Sequence, residues 1–329
     1  MRIIRWGMIG AGDVAEVKSG PGFQKAKNSS LVAVMRRNGA LAKDYAERHS
    51  VPHWYDNAEA LINDPEVDAI YIATPPHVHK QYTLMSVAAG KAVYVEKPMA
   101  LTFAECQEMI TACQNAGVPL WVAYYRRMLP RFVKIKELLE ADAIGQVRSV
   151  RIVLYSPLNP ERFPPDNLPW RVVPAVSGGG VFADAGVHTL DFLDYVLGPI
   201  QSVQGIAANQ ANLYPAEDNV AANFVFESGA LGTGTWCFTT NQALDQTEII
   251  GTRGKISFAT FSPAPTLLTT AGGVEEISIA DPPHVHQPLI QTIVDELNGV
   301  GTCPSTGLSG ARTTGVVDQI LRKYREEHN

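Results

Sequence analysis

The chain has 329 residues, long for one hydrophobic core and enough for two domains of ordinary size. With 46% hydrophobic and 18% charged residues and a formal net charge of −6, it reads as a soluble globular protein. The same balance argues against nucleic acid or an anionic membrane as its main partner. No run of about eighteen apolar residues predicts a membrane span. The N-terminus, Met1-Arg2-Ile3-Ile4-Arg5, enters a first strand without the apolar region of a signal peptide, so a cytoplasmic protein is expected. Cys106, Cys113, Cys237 and Cys303 form no C-x-x-C pair and read as reduced thiols.

In chain order, residues 3–9 form a strand, and Gly10-Ala11-Gly12 turns into a helix. Residues 31–35 give a second strand, followed by helices over 40–48 and 58–62. A continuous apolar strand at 69–74 precedes a helix over 79–89 that Gly90 stops. Residues 92–95 are the next strand, and Thr102-Phe103-Ala104-Glu105 is a capping box opening a helix that ends near Gly117. A strand over 118–124 closes the series. Short apolar strands separated by helices imply a parallel sheet covered on both faces, the dinucleotide-binding type of α/β domain.

Beyond a boundary placed at residue 123, the pattern changes. A helix at 131–139 leads to a long strand at 147–155 and a proline-dense loop, Pro157 to Pro174. A glycine knot, Ser177 to Gly180, opens a helix running to Leu197. Strands with hairpin signals at Glu227-Ser228-Gly229, Gly251 to Gly254 and Ala271-Gly272-Gly273 follow, and a helix over 308–327 ends the chain. The second domain, 124–329, is therefore expected to be α+β on an open, largely antiparallel mixed sheet.

Three motifs carry chemistry. Gly10-Ala11-Gly12-Asp13-Val14-Ala15 is a G-x-G-x-x-A turn, whose glycines allow a tight turn and close approach of a pyrophosphate while Ala15 keeps helix and strand close. The helix N-terminus then faces the phosphates. The second strand ends in Arg36-Arg37 rather than an acid, which suits the 2′-phosphate of NADP better than the free ribose hydroxyl of NAD, although NAD stays possible. Glu96-Lys97-Pro98 ends an apolar strand at the sheet edge where ligands of such folds bind. In the helix after the glycine knot, Asp184, His188 and Asp191 fall on one face, and an aspartate one turn before a histidine can orient it for proton transfer.

Other residues have two readings each. Arg126, after the sixth strand, either reaches cofactor or substrate or links domains by an ion pair. Trp170-Arg171 are expected to approach the nicotinamide or its phosphates. His77-Val78-His79 and His284-Val285-His286 look like half metal sites, but no acid or cysteine cluster accompanies them, so no metal is expected.

In this order and spacing the motifs resemble the Gfo/Idh/MocA oxidoreductases, and the likeness extends to Thr74-Pro75-Pro76-His77 and Trp170-Arg171. The resemblance implies a Rossmann domain followed by a domain with an open sheet, a nicotinamide cofactor, and a homodimer or homotetramer. It also implies Lys97, Asp184 and His188 as the catalytic group and a cis peptide at Lys97-Pro98. Within the family, Arg36-Arg37 and Tyr94-Val95-Glu96 look more like NADP-using members. The expected activity is NADP-dependent interconversion of a carbonyl and a secondary alcohol on a sugar, polyol or related cyclic diol. The expected cofactor contacts are Gly10, Gly12, Asp13, Val14, Ala15, Arg36, Arg37, Thr74, Pro75, His77, Glu96, Lys97, Arg126, Trp170 and Arg171. Alternatives from other classes are an NAD-dependent glycoside hydrolase using transient oxidation and a non-catalytic NADP-binding sensor.

Overall fold

A computed structural model describes residues 1–328. The chain divides into two compact units, Met1–Leu129 with Pro282–Ala311, and Pro130–Asp281 with the chain from Arg312 onward. A single division at residue 123 misses two features. Residues 124–129 belong with the first unit, and the chain returns to it over 282–311.

In the first unit, six parallel strands, Ile4–Ile9 (β1), Ser29–Met35 (β2), His53–Tyr55 (β3), Ala69–Ile72 (β4), Ala92–Val95 (β5) and Leu120–Val122 (β6), lie in the order β3-β2-β1-β4-β5-β6. Every residue of β4, β5 and β6 is buried, which is why these strands read as unbroken apolar runs. Trp6, Phe23, Tyr71 and Tyr94 form an aromatic core, with Trp6–Phe23 centroids 4.9 Å apart and Tyr71–Tyr94 5.0 Å apart. The helices are Gly20–Lys25 (α1), Gly39–Arg48 (α2), Ala58–Ile62 (α3), His79–Ala88 (α4) and Phe103–Ala116 (α5). Half of the expected capping box is seen: Thr102 accepts the Glu105 amide, but the Glu105 carboxylate reaches back to the Leu101 amide, one residue before the cap.

Three elements depart from the expectation. The first helix starts at residue 13 but widens into a π-helical turn, Ala15–Ser19, before α1. Pro21, lacking an amide, sits in the first turn of α1 directly after the widened turn. Strand β3 is short and pairs only with β2. Gln287–Leu297, a helix in the returning segment, packs on α1, and a Cβ added at Gly22 would meet Ile290 at 3.1 Å.

In the second unit, Pro130–Glu140 (α6) precedes an eight-stranded sheet of Val147–Pro157 (β7), Ile200–Ala208 (β8), Asn219–Phe226 (β9), Leu231–Thr240 (β10), Leu244–Gly251 (β11), Gly254–Phe258 (β12), Thr266–Thr270 (β13) and Gly273–Ile277 (β14). The order is β14-β13-β12-β11-β7-β10-β9-β8, and only β7 and β10 are parallel neighbours. All three expected hairpins form, joining β9 to β10, β11 to β12 and β13 to β14. Pro174–Ser177 (α7) leads through the glycine knot to Val181–Leu197 (α8). The returning Gln287–Leu297 helix is α9, and Gly307–His328 is α10. Helix α8 covers the sheet through Phe182 against Trp236, centroids 4.8 Å apart, and Phe192 against Phe258, 5.7 Å apart. Along β9 buried and exposed residues alternate, so a second face of the sheet carries solvent-exposed side chains.

Candidate active site

The strand order fixes one edge of the first unit as its binding edge. All six strands are parallel, and the order reverses between β1 and β4, so a crevice opens beyond their carboxyl ends. At that edge Gly10 adopts φ +95°, and its amide donates to the Met35 carbonyl at 2.9 Å. A Cβ on Gly10 would lie 2.9 Å from the Ala73 carbonyl group, so only glycine fits. Gly12 has open space on its Cβ side, with Gly10 O at 4.0 Å the sole neighbour. The helix beginning at Asp13 presents its first amides at this edge, with the Ala15 amide taken by the Gly12 carbonyl at 2.9 Å. Arg36 directly follows Met35 and is partly buried, and Arg37 is exposed. Thr74 Oγ1 is buried without a hydrogen-bond partner. A glycine cradle, leading amides, two arginines and an orphaned hydroxyl around one crevice fit a dinucleotide.

Glu96-Lys97-Pro98 follows β5 at the same edge, two strands from the glycine turn. The Lys97–Pro98 peptide is cis, as the resemblance implied. Glu96 is buried; Oε1 accepts the Tyr71 hydroxyl at 2.5 Å and Oε2 accepts the Lys97 amide at 3.2 Å. Burial and the adjacent carboxylate hold the Tyr71 phenol far above its ordinary range, so it stays a donor. His79 lies between the loops after β4 and β5, with Nε2 2.7 Å from Thr74 O and Nδ1 3.0 Å from Pro98 O. Burial pulls its pKa down to about 4, so the neutral ring has one N–H to donate.

His286 also reaches this cluster. Its ring stacks on Tyr125 with centroids 4.4 Å apart, and Nδ1 lies 3.3 Å from the Tyr94 hydroxyl and 3.7 Å from Glu96 Oε1. Burial, with Lys18, Lys97 and Arg126 nearby, pulls its pKa down to about 3, so the imidazole beside Glu96 is neutral and makes no ion pair. Arg126 is buried and donates to the Tyr125 hydroxyl at 2.6 Å. His77 is exposed. Among the described residues, no group of three or more His, Cys, Asp or Glu side chains is placed to hold a metal ion.

In the second unit, α8 carries Asp184 in its first turn and His188 one turn on, with His188 buried. Arg171 Nε donates to Asp184 Oδ2 at 3.2 Å, and its guanidinium stacks over Trp170 at 4.5 Å. Asp191 is turned to other work, accepting the Thr313 hydroxyl at 3.3 Å. The start of α8 is set by the glycine knot: Gly180 N–H donates to Glu217 Oε1 at 2.8 Å, and a Cβ on Gly180 would overlap the Glu217 carbonyl oxygen. Burial pushes the Glu217 pKa up to about 7, although the Gly180 amide and Arg325 pull the other way.

Sequence reasoning did not single out Tyr71, His286 or Glu217 as parts of these arrangements. The polar tips of Tyr71 and His286 lie in apolar or irregular stretches. Glu217 in Pro215-Ala216-Glu217-Asp218 gives no local sign of burial.

A Rossmann sheet with a glycine cradle, joined in one chain to a mixed open-sheet unit, defines a nicotinamide-dependent oxidoreductase. Residues 4–124 match the oxidoreductase family with an NAD-binding Rossmann fold, and residues 132–257 match the GFO/IDH/MocA C-terminal domain. The chain belongs to the Gfo/Idh/MocA oxidoreductase family. It is 38% identical to Oxidoreductase P35 of Formosa agariphila over 96% of this chain and 97% of that protein. It is 28% identical to a 1,5-anhydro-D-fructose reductase of Ensifer adhaerens, over 93% of this chain and 92% of the relative. An aldose-aldose oxidoreductase from Caulobacter crescentus, solved with glycerol, shares the fold with a TM-score of 0.85 at 24% identity, covering 99% of this chain and 98% of that one.

Proposed function

We propose that the protein interconverts a carbonyl and a secondary alcohol on a sugar, polyol or related cyclic diol, with NADP preferred over NAD. The observation that carries this reading is the shared sheet edge. Gly10 follows β1 and Lys97 follows β5, two strands away, which is about 10 Å at the ordinary spacing of strands. The sugar-derived ketone in the name of the Ensifer relative supports the substrate class.

Gly10, Gly12, Asp13, Val14 and Ala15 would hold the pyrophosphate, and Arg36 and Arg37 a 2′-phosphate. Thr74, Pro75, His77, Glu96, Lys97 and Arg126 are assigned to the same cofactor, as are Trp170 and Arg171 of the second unit. When bound, the nicotinamide exchanges hydride with the substrate carbon. Lys97 donates a hydrogen bond to the reacting oxygen and offsets its negative charge. His188 gives that oxygen its proton in reduction and removes it in oxidation. Asp184, itself held by Arg171, orients the imidazole or a neighbouring substrate hydroxyl. The protein is taken to be cytoplasmic, and to be a homodimer or homotetramer; exposed apolar side chains on the sheet such as Leu231, 58% accessible, support self-association.

The test is a panel of sugars, inositols, diols and dicarbonyls followed by NADPH oxidation or NADP reduction. Turnover with kcat/KM for NADP well above that for NAD is expected. Equal or better use of NAD contradicts the cofactor preference, and no turnover with any compound contradicts the activity.

A further inference from the structure

Beside His188 lies a loop more firmly held than its position at the surface requires. Residues 259–265 join β12 to β13, and at their tip Phe261 is 41% accessible. Two charged side chains grip the backbone around it. Asp245, at the start of β11, accepts the amides of Thr260 at 2.9 Å, Phe261 at 2.6 Å and Ser262 at 2.9 Å. Arg131, buried on α6, donates to the carbonyls of Ala259 and Ser262 at 2.9 Å and of Thr260 at 3.0 Å. The Thr260 hydroxyl also meets the Thr189 hydroxyl at 2.8 Å, anchoring the loop to the residue after His188. Six backbone bonds to charged partners hold this turn, and bonds to charged groups are the strong ones.

What they fix is the Phe261 ring, whose centroid lies 5.8 Å from that of His188 with the planes at 79°. At 41% accessible, the Phe261 phenyl keeps part of its apolar surface in water beside His188, where a second apolar surface could cover it. A rigid apolar surface touching a proton-transfer histidine suits a substrate with one apolar face. Closed sugar and cyclitol rings have such faces, because in the chair the equatorial hydroxyls point outward and leave axial C–H groups above and below, up to three of them on one side. Open-chain polyols present no such flat face and must also surrender rotational freedom to lie against a ring.

We propose that Phe261 is a specificity-determining residue that stacks on the C–H face of a ring-closed substrate while His188 addresses its hydroxyl or carbonyl. This rests on the oxidoreductase reading above and narrows it from sugars and polyols in general to ring-closed ones. Asp245 and Arg131 are positioning residues that keep the ring from turning away.

The experiment measures kcat/KM with NADP for glucose, xylose and myo-inositol as ring compounds and for xylitol and sorbitol as open chains. It compares the full-length protein with Phe261→Ala, Phe261→Leu and Phe261→Trp. The ratio of ring to open-chain kcat/KM should fall about fivefold or more in the alanine and leucine variants and persist with tryptophan. The loss should appear in KM, with NADP binding within about twofold of the parent. A smaller change, or an equal loss with both kinds of compound, overturns the role of Phe261 while leaving the oxidoreductase reading intact. If the parent protein turns over none of these compounds or their carbonyl counterparts, the assignment of Phe261 falls, and the oxidoreductase reading falls with it only if the wider panel of sugars, inositols, diols and dicarbonyls also gives no turnover.

Discussion

The Tyr71 hydroxyl donates to Glu96 Oε1 at 2.5 Å from the neighbouring parallel strand, so the carboxylate ahead of Lys97 is held from inside the sheet. The other oxygen takes the Lys97 amide, which makes the tyrosine a support for the backbone that aims the lysine. Tyr71→Phe leaves a buried carboxylate oxygen without its shortest donor, at a cost of about 1–3 kcal/mol. A lower unfolding temperature together with a reduced kcat and a nearly unchanged KM for NADP is expected. Unchanged melting and kcat would show that Glu96 needs no such support.

Arg36 and Arg37 decide the cofactor in this account. Arg36 follows Met35, whose carbonyl takes the Gly10 amide, so the arginine pair begins one residue from the glycine turn. Arg36→Ala should raise KM for NADP by about tenfold or more, as loss of a charge-assisted bond does, and leave KM for NAD nearly unchanged. Steady-state kinetics with both cofactors reads this directly. Equal losses for the two would remove the arginine from 2′-phosphate recognition.

Much of this edge was legible in the sequence because it depends on local rules. Gly10 at φ +95° and the open side of Gly12 follow from the G-x-G spacing, and the fully buried runs of β4 and β5 follow from their unbroken apolar residues. The Thr102 cap on the Glu105 amide is equally local. What was hidden depends on contacts between residues far apart in the chain. His286 reaches Glu96 across 190 residues because the segment 282–311 folds back onto the first unit, and no pattern near His286 signals that return. Asp184, His188 and Asp191 do share a helix, but one face did not mean one task. Asp191 bonds to Thr313 of α10, and Asp184 is drawn to Arg171.

Glu217 makes the start of α8 sensitive to pH. Its carboxyl titrates at about 7 in the folded protein against an ordinary value of 4.5. The folded state therefore holds this proton more tightly than the unfolded state. The resulting stability is present in full below pH 4.5 and is lost as pH rises through about 7, a change on the order of 3 kcal/mol. Glu217→Gln keeps an oxygen for the Gly180 amide and has nothing to ionise. Its melting temperature relative to the parent should rise between pH 5 and pH 8. A difference that stays flat over that range would contradict the raised pKa.

The most direct test of the whole account is single-turnover and steady-state turnover of the NADPH-loaded protein after Lys97→Met and His188→Ala, each made separately. NADPH affinity is followed in parallel by its fluorescence on binding. The account predicts that both substitutions abolish turnover of a substrate the parent accepts, while both variants still bind NADPH. Turnover at the parent's rate in either variant would contradict it.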